Sequence, residues 1–307
     1  ADAQYKLGMC YENGKGVPQD FYEAAKYYRL ATEQGKTCAT TNLALLYEKG
    51  KGVKRDIKEA ERLYRIAAID DVLAQYYLGD IYYQGKNGVK DWCEAAKWFY
   101  KAVDSGSIAA LHLLGVIYQK GGNGILRNMN EAIKWYLEAA KKGYSLSQFI
   151  IGEIYETGNG VLCNLTEAAQ WYLKSAKNGY IHAQFKMGSM YANGQGVSKN
   201  GAEAIRWYMK VAETGNSDAQ FNIALIYDLG IGIQSNKYEA VKWYKKASTQ
   251  GHLRAKFYLG LCYRKGDGVE KSMVNDMHGL EMMLWSARHG CKEAQEYFSA
   301  NGVDWRK

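Results

Sequence analysis

Five histidines, at positions 112, 182, 252, 278 and 289, and six cysteines, at 10, 38, 93, 163, 262 and 291, are the side chains here best suited to hold a metal or attack a substrate. Zinc asks for several such groups converging on one point. These are scattered, with no Cys-x-x-Cys pair and no His-Glu-x-x-His helix to gather them. Hydrolysis of the penicillin-binding kind needs serine and lysine on one helical turn, and no serine has lysine three positions on. Gly79 to Gly85-Lys86 has the wrong count for a phosphate-cradling loop, and no Ser or Thr follows the lysine. Asn164-Leu165-Thr166 is a glycosylation sequon by letter alone. No constellation for catalysis, a cofactor or a metal is assembled, so the chain reads as a non-enzyme.

The elements that must position these residues are legible from glycine, which occurs 33 times beside a single proline. One column is Gly8, Gly79, Gly115, Gly152, Gly188 and Gly260, with Ala44 and Ala224 in its gaps. Two more columns run from Gly14 and Gly16 to Gly266 and Gly268, and a fourth from Gly35 to Gly290. The chain therefore divides into eight copies of one unit, 1–36, 37–71, 72–107, 108–144, 145–180, 181–216, 217–252 and 253–291, with residues 292–307 left as a capping helix and tail. Each unit reads as two helices. Leu7, Gly8 and Tyr11 share a stripe of the first, where a small residue lets the partner helix approach closely. A Gly-x-Gly-Val turn follows, and its glycines supply positive φ at no steric cost. The second helix is predicted to open on an Asx column, Asp20, Asp56, Asp91, Asn128, Asn164, Asn200, Asn236 and Asn275. Glu23, Glu59, Glu94, Glu131, Glu167, Glu203 and Glu239, three residues later, complete a capping-box pattern that only His278 breaks. Trp98, Trp135, Trp171, Trp207 and Trp243 form a column in the same helix, which stops at the fourth glycine. Three extra residues in the eighth unit are assigned to its loop.

Composition narrows the possibilities further. Lys and Arg number 40 against 32 Asp and Glu, and the resulting charge of +8 is well short of what an obligate nucleic-acid binder carries. At 47% hydrophobic and 23% charged the chain is an ordered protein, and it has no run of 18 apolar residues. A monomer is expected. The chain opens inside a unit, so a preceding segment is expected and the lack of signal-peptide features says nothing of targeting.

The pattern Ala-Gln-x-x-Leu-Gly-x-x-Tyr, then Gly-x-Gly-Val, then Asp or Asn, then Glu-Ala-x-x-Trp-Tyr resembles the Sel1-like repeat, a relative of the tetratricopeptide repeat, over the whole chain. Gln4, Gln75, Gln148, Gln184, Gln220 and Gln295 stand where tetratricopeptide units usually have Trp. The resemblance implies an all-α, right-handed α/α superhelical solenoid whose first helices line a concave wall, and a non-enzymatic adaptor that binds proteins. It also implies a bacterial protein exported to the periplasm or beyond, since relatives in pathogens such as Legionella contact host proteins in entry or trafficking. A bacterial envelope or signalling adaptor is the nearest alternative, an endoplasmic-reticulum quality-control adaptor a more distant one, and a β-lactam hydrolase the alternative of another class. One subfamily, the Helicobacter cysteine-rich proteins, staples each unit with cysteines eight residues apart. Here those positions hold Ala31 with Ala39, Ala102 with Ala110 and Ala139 with Ser147, so free thiols are expected.

Subtracting the repeat consensus leaves the residues that a partner would meet. On the wall-facing positions of units two to five, Thr41 and His112 remove an aromatic, Asp80, Glu153 and Glu156 add acid, and Tyr76 and Tyr83 add amphipathic area, with Leu45, Gln119 and Phe149 beside them. These are predicted to grip an extended peptide or a helix of another protein. Two outer features compete. Lys49, Lys51, Lys54, Arg55, Lys58, Arg62 and Arg65 could meet an anionic membrane, although Asp56, Glu59 and Glu61 interleave and favour plain solubility. Met273, Met277, Met282 and Met283 mark the last unit as a stack terminus or a docking surface.

Overall fold

A computed structural model describes residues 1–306 of the chain, and among them seventeen helices and no strand occur. The helices are α1 (Asp2–Asn13), α2 (Phe21–Glu33), α3 (Thr37–Lys49), α4 (Ile57–Ala67), α5 (Val72–Gln84), α6 (Trp92–Asp104), α7 (Ile108–Lys120), α8 (Met129–Lys141) and α9 (Ser145–Thr157). They continue as α10 (Leu165–Lys177), α11 (Ile181–Asn193), α12 (Gly201–Ala212), α13 (Ser217–Leu229), α14 (Lys237–Thr249), α15 (Leu253–Lys265), α16 (Met273–Arg288) and α17 (Lys292–Ala300). Each odd-numbered helix up to α15 pairs with the next to form one repeat of an all-α solenoid. The residues fall into two compact units, 1–147 and 148 onward.

Polar groups decide where each hairpin turns. Six of the first helices close on a left-handed glycine, such as Gly14 at φ 65°, whose N–H returns to the Cys10 carbonyl. Seven second helices open on the Asx column from Asp20 to Asn236, each side chain accepting the N–H of the glutamate three residues on, as Asp91 does from Glu94 at 2.9 Å. The other half of the predicted capping box does not form. The cap's own N–H is taken by the first-helix tyrosine carbonyl, from Asp20 to Tyr11 at 2.9 Å through to Asn236 to Tyr227 at 2.8 Å. The glutamates are thereby released to pair along their own helix, Glu59 with Arg62 at 2.7 Å and Glu167 with the Trp171 indole N–H at 3.0 Å.

The eighth repeat corrects the sequence reading at Asn275. α16 begins two residues before it, capped by Ser272, whose Oγ accepts the Asn275 N–H at 3.2 Å. Asn275 turns its amide to the Glu270 carbonyl instead, at 2.6 Å, and the extra residues lengthen the helix to 16 residues rather than the loop. α17 then covers its exposed end, burying Ala294 and Phe298 against Phe257, Met283 and Ala287.

Close approach explains the first glycine column. A Cβ on Gly79 would stand 2.4 Å from the Phe99 ring, and one on Gly115 would stand 2.6 Å from Tyr136. The rings that fill these spaces, Tyr28, Tyr64, Phe99, Tyr136, Tyr172 and Tyr244, are fully buried, each contributing roughly 1.5–3 kcal/mol. The glutamines that replace Trp tie repeat to repeat: Gln75 donates to the Ala68 carbonyl at 2.9 Å and Gln295 to that of Ala287 at 2.8 Å.

Candidate functional site

The first-helix face is built on a register that the sequence reading missed. In five of the second helices a buried tyrosine at mid-helix donates its hydroxyl to an acceptor near the end of its own first helix. The pairs are Tyr28 with Glu12 at 2.5 Å, Tyr64 with Glu48 at 2.9 Å, Tyr136 with Gln119 at 2.7 Å, Tyr172 with Glu156 at 2.7 Å and Tyr244 with Asp228 at 3.0 Å. Burial first, and the adjacent carboxylate second, push the Tyr28, Tyr64, Tyr172 and Tyr244 phenols well above their usual range. Gln119 and Glu156, read from sequence as partner contacts, are thus acceptors for core tyrosines. In the third repeat Tyr83 occupies the acceptor position, and the second helix correspondingly carries Phe99, which has no hydroxyl. That spacing of acceptor and tyrosine was visible in the sequence, once the two helices are compared with each other rather than column by column.

In the first compact unit two further predicted residues turn inward. Thr41 is 2% and His112 7% exposed, so neither offers surface to a partner. Thr41 Oγ1 donates to the Asp71 carboxylate at 2.6 Å. His112 Nδ1 lies 2.9 Å from the hydroxyl of Ser147, which stands where most repeats have alanine. Burial lowers the His112 pKa to about 4, leaving a neutral imidazole. Each lost aromatic is therefore answered by a polar residue at the start of the next first helix, Asp71 as the cap of α5 and Ser147 in the first turn of α9. Asp80 is held by Lys86, which reaches it at 2.5 Å and Glu48 at 2.8 Å. Burial opposes the Lys86 charge, but these two hydrogen bonds outweigh it and raise the pKa above the ordinary range. Tyr76, half-buried, meets Tyr77 edge-on at 5.6 Å and lies 6.0 Å from Phe99. Tyr83 stacks on Trp92 at 5.5 Å and receives Lys120 Nζ at 3.3 Å on its hydroxyl. Leu45 is half-buried.

In the second compact unit Phe149 packs on Tyr172 at 5.3 Å and Tyr180 at 5.1 Å. Glu156 also pairs with Lys186 at 2.7 Å. Glu153 alone among the ten predicted residues is exposed. The helices packed about its carboxyl nonetheless raise its pKa; Lys186 opposes this, Glu156 adds to it and His182 opposes it. Lys49, Gln84, Lys120 and Thr157, one residue beyond the acceptor position, are exposed.

The six cysteines are free thiols. Among the described residues no group of three or more His, Cys, Asp or Glu could hold a metal ion, and no helix is long and apolar enough to cross a membrane. The basic patch is partly neutralised, Arg62 by Glu59 at 2.7 Å and Arg65 by Glu61 at 3.0 Å.

The Sel1 repeat family model matches residues 1–36, 39–70, 72–107, 108–144, 145–180, 181–216, 217–252 and 253–290, nearly the entire chain. This chain belongs to the Sel1 repeat family. Solved Sel1 relatives include a protective antigen present in uropathogenic Escherichia coli strains that displays an SLR fold, 30% identical over 99% of this chain and 73% of its own, with a TM-score of 0.66. A Sel1 repeat protein from Oxalobacter formigenes is 27% identical over 97% of this chain and 86% of its own, at a TM-score of 0.64. No curated protein matches the sequence. Sel1 repeat proteins are generally protein-interaction scaffolds, and their solenoids are typically non-catalytic.

Proposed function

We propose that this Sel1 repeat protein is an exported bacterial scaffold, without catalytic activity, that captures a segment of another protein, one of a host included, on its first-helix face. The observation that carries this reading is a set of exposed side chains on that face. In the first unit these are Gln84 and Lys120 beside the half-exposed ring of Tyr83, and in the second Glu153. Aromatic area flanked by charge on rigid helices suits an extended peptide or a helix. Support for export and for a role in infection comes from the resemblance to a protective antigen of uropathogenic Escherichia coli.

Tyr76, Asp80 and Glu156 are committed to packing or hydrogen bonds, so a sharp test changes exposed charge instead. The full chain, Lys120→Glu and Glu153→Lys should be used separately to capture proteins from bacterial and host-cell lysates, with identification by mass spectrometry. At least one variant is expected to lose a protein that the parent captures, at an unchanged melting temperature. Capture of the same set by all three would overturn the assignment to this face. Detection of the protein only in the cytosol of its source bacterium, by antibody on cell fractions, would overturn export.

A further inference from the structure

Three departures from the repeat come in matched pairs, Thr41 with Asp71, His112 with Ser147 and Tyr83 with Phe99, whereas one in the sixth repeat stands unmatched. There the acceptor position holds Ala192, yet α12 keeps the hydroxyl on Tyr208. Tyr208 is 4% exposed, and its phenol is pushed up to about 12, chiefly by burial, so it remains a donor at neutral pH. Its polar neighbour is Ser189, and no carboxylate meets it. Where the other repeats place the acceptor, there is a cavity of about 210 Å³ lined by Tyr208, Ser189, Asn193 and Asn222, with Phe185 and Leu225 at its apolar edge. Asn193 Nδ2 donates to Ser189 Oγ at 3.3 Å. The first repeat shows the completed arrangement. Tyr28 donates to Glu12 at 2.5 Å, and Asn42 of the following repeat is its second polar neighbour. Asn222 occupies the repeat position of Asn42, so the sixth repeat keeps the tyrosine and the asparagine and lacks only the acid.

We propose that this cavity binds a carboxylate, the side chain of a glutamate on a partner segment. The partner would supply the acceptor that repeats one, two, four, five and seven take from their own first helices. Four of those five acceptors are carboxylates, which form hydrogen bonds roughly twice as strong as neutral ones. The donors are in place, in two hydroxyls and two amides, and a chain of net charge +8 favours an anion. The inference rests on the reading that the first-helix face takes a protein partner, and it names the chemistry of one position on that face.

Butyrate and butyramide differ only in the group that the cavity reads. The full-length protein, labelled with nitrogen-15, should be titrated with each while the side-chain amide signals of Asn193 and Asn222 are followed by NMR. Saturable shifts are expected with butyrate, and binding about tenfold weaker with butyramide. Ala192→Glu builds the acid into the chain and is expected to abolish the butyrate shifts. Tyr208→Phe removes the hydroxyl but keeps the ring, as Phe99 does in the third repeat, and should weaken binding about tenfold while the fold persists. No shift with butyrate, equal binding of the amide, or unaltered binding in both variants would overturn the proposal. Because the probe is a small molecule, that outcome would leave the scaffold reading standing, and failure to capture any protein would leave a positive titration standing.

Discussion

Burial takes His112 out of contact with any partner and gives it a consequence in acid. The folded imidazole titrates at about 4 and an unfolded one near 6.5, so between these values the unfolded chain binds the extra proton. The stability that the neutral ring contributes is whole above pH 6.5 and is lost as pH falls toward 4, by an amount on the order of 3 kcal/mol. The double variant His112→Phe with Ser147→Ala restores the residues used at these positions by other repeats. Its melting temperature, followed by circular dichroism, should fall less between pH 7 and pH 4.5 than that of the parent; an equal fall would refute this origin of acid sensitivity. At this scale the sequence was informative in one direction only. Periodicity singled out Thr41 and His112 as unusual, but the residues that answer them, Asp71 and Ser147, lie at the start of the next first helix, where no spacing rule links them. Glu12, Glu48, Glu156 and Asp228 were readable in principle, since each stands sixteen residues before a tyrosine that needs an acceptor.

Helix starts and stops were legible wherever one strong signal stood alone. Left-handed glycines ended α1, α3, α5, α11, α13 and α15, and Asx side chains opened the second helices. The reading failed where two good caps competed, at Ser272 and Asn275, and periodicity favoured the wrong one. It also failed for the glutamates, because the tyrosine carbonyl that satisfies the cap N–H is a tertiary feature. α17 has a clear task at this scale. Removing residues 292–307 would expose Phe257 and Met283, which are 4% and 0% exposed beneath it. The truncated chain is expected to aggregate or melt at lower temperature, and size-exclusion chromatography with a melting curve checks this. A monomeric product of unchanged melting temperature would show that α17 does not cap the stack.

Across the whole molecule the helices touch chiefly their sequence neighbours, so stability is a sum of local terms rather than the property of one core. Gly115→Val would force side-chain carbon into the Tyr136 ring, which a Cβ at that site already approaches to 2.6 Å. Hydrogen exchange in the variant should accelerate in the compact unit 1–147 and stay slow from 148 onward. Equal acceleration throughout would mean that the chain unfolds as one body. The glycine columns make this modular plan readable in the sequence, whereas which side chains stay exposed on the first-helix face depends on contacts between helices. The bond that seven repeats make from the cap N–H to their own tyrosine carbonyl also bears on inheritance. Because that donor and acceptor belong to one repeat, a gene that gains or loses a whole repeat strands neither. A cut inside the hairpin separates them. Such a protein can lengthen by duplication in steps of one repeat, with the segment after the last repeat kept in place.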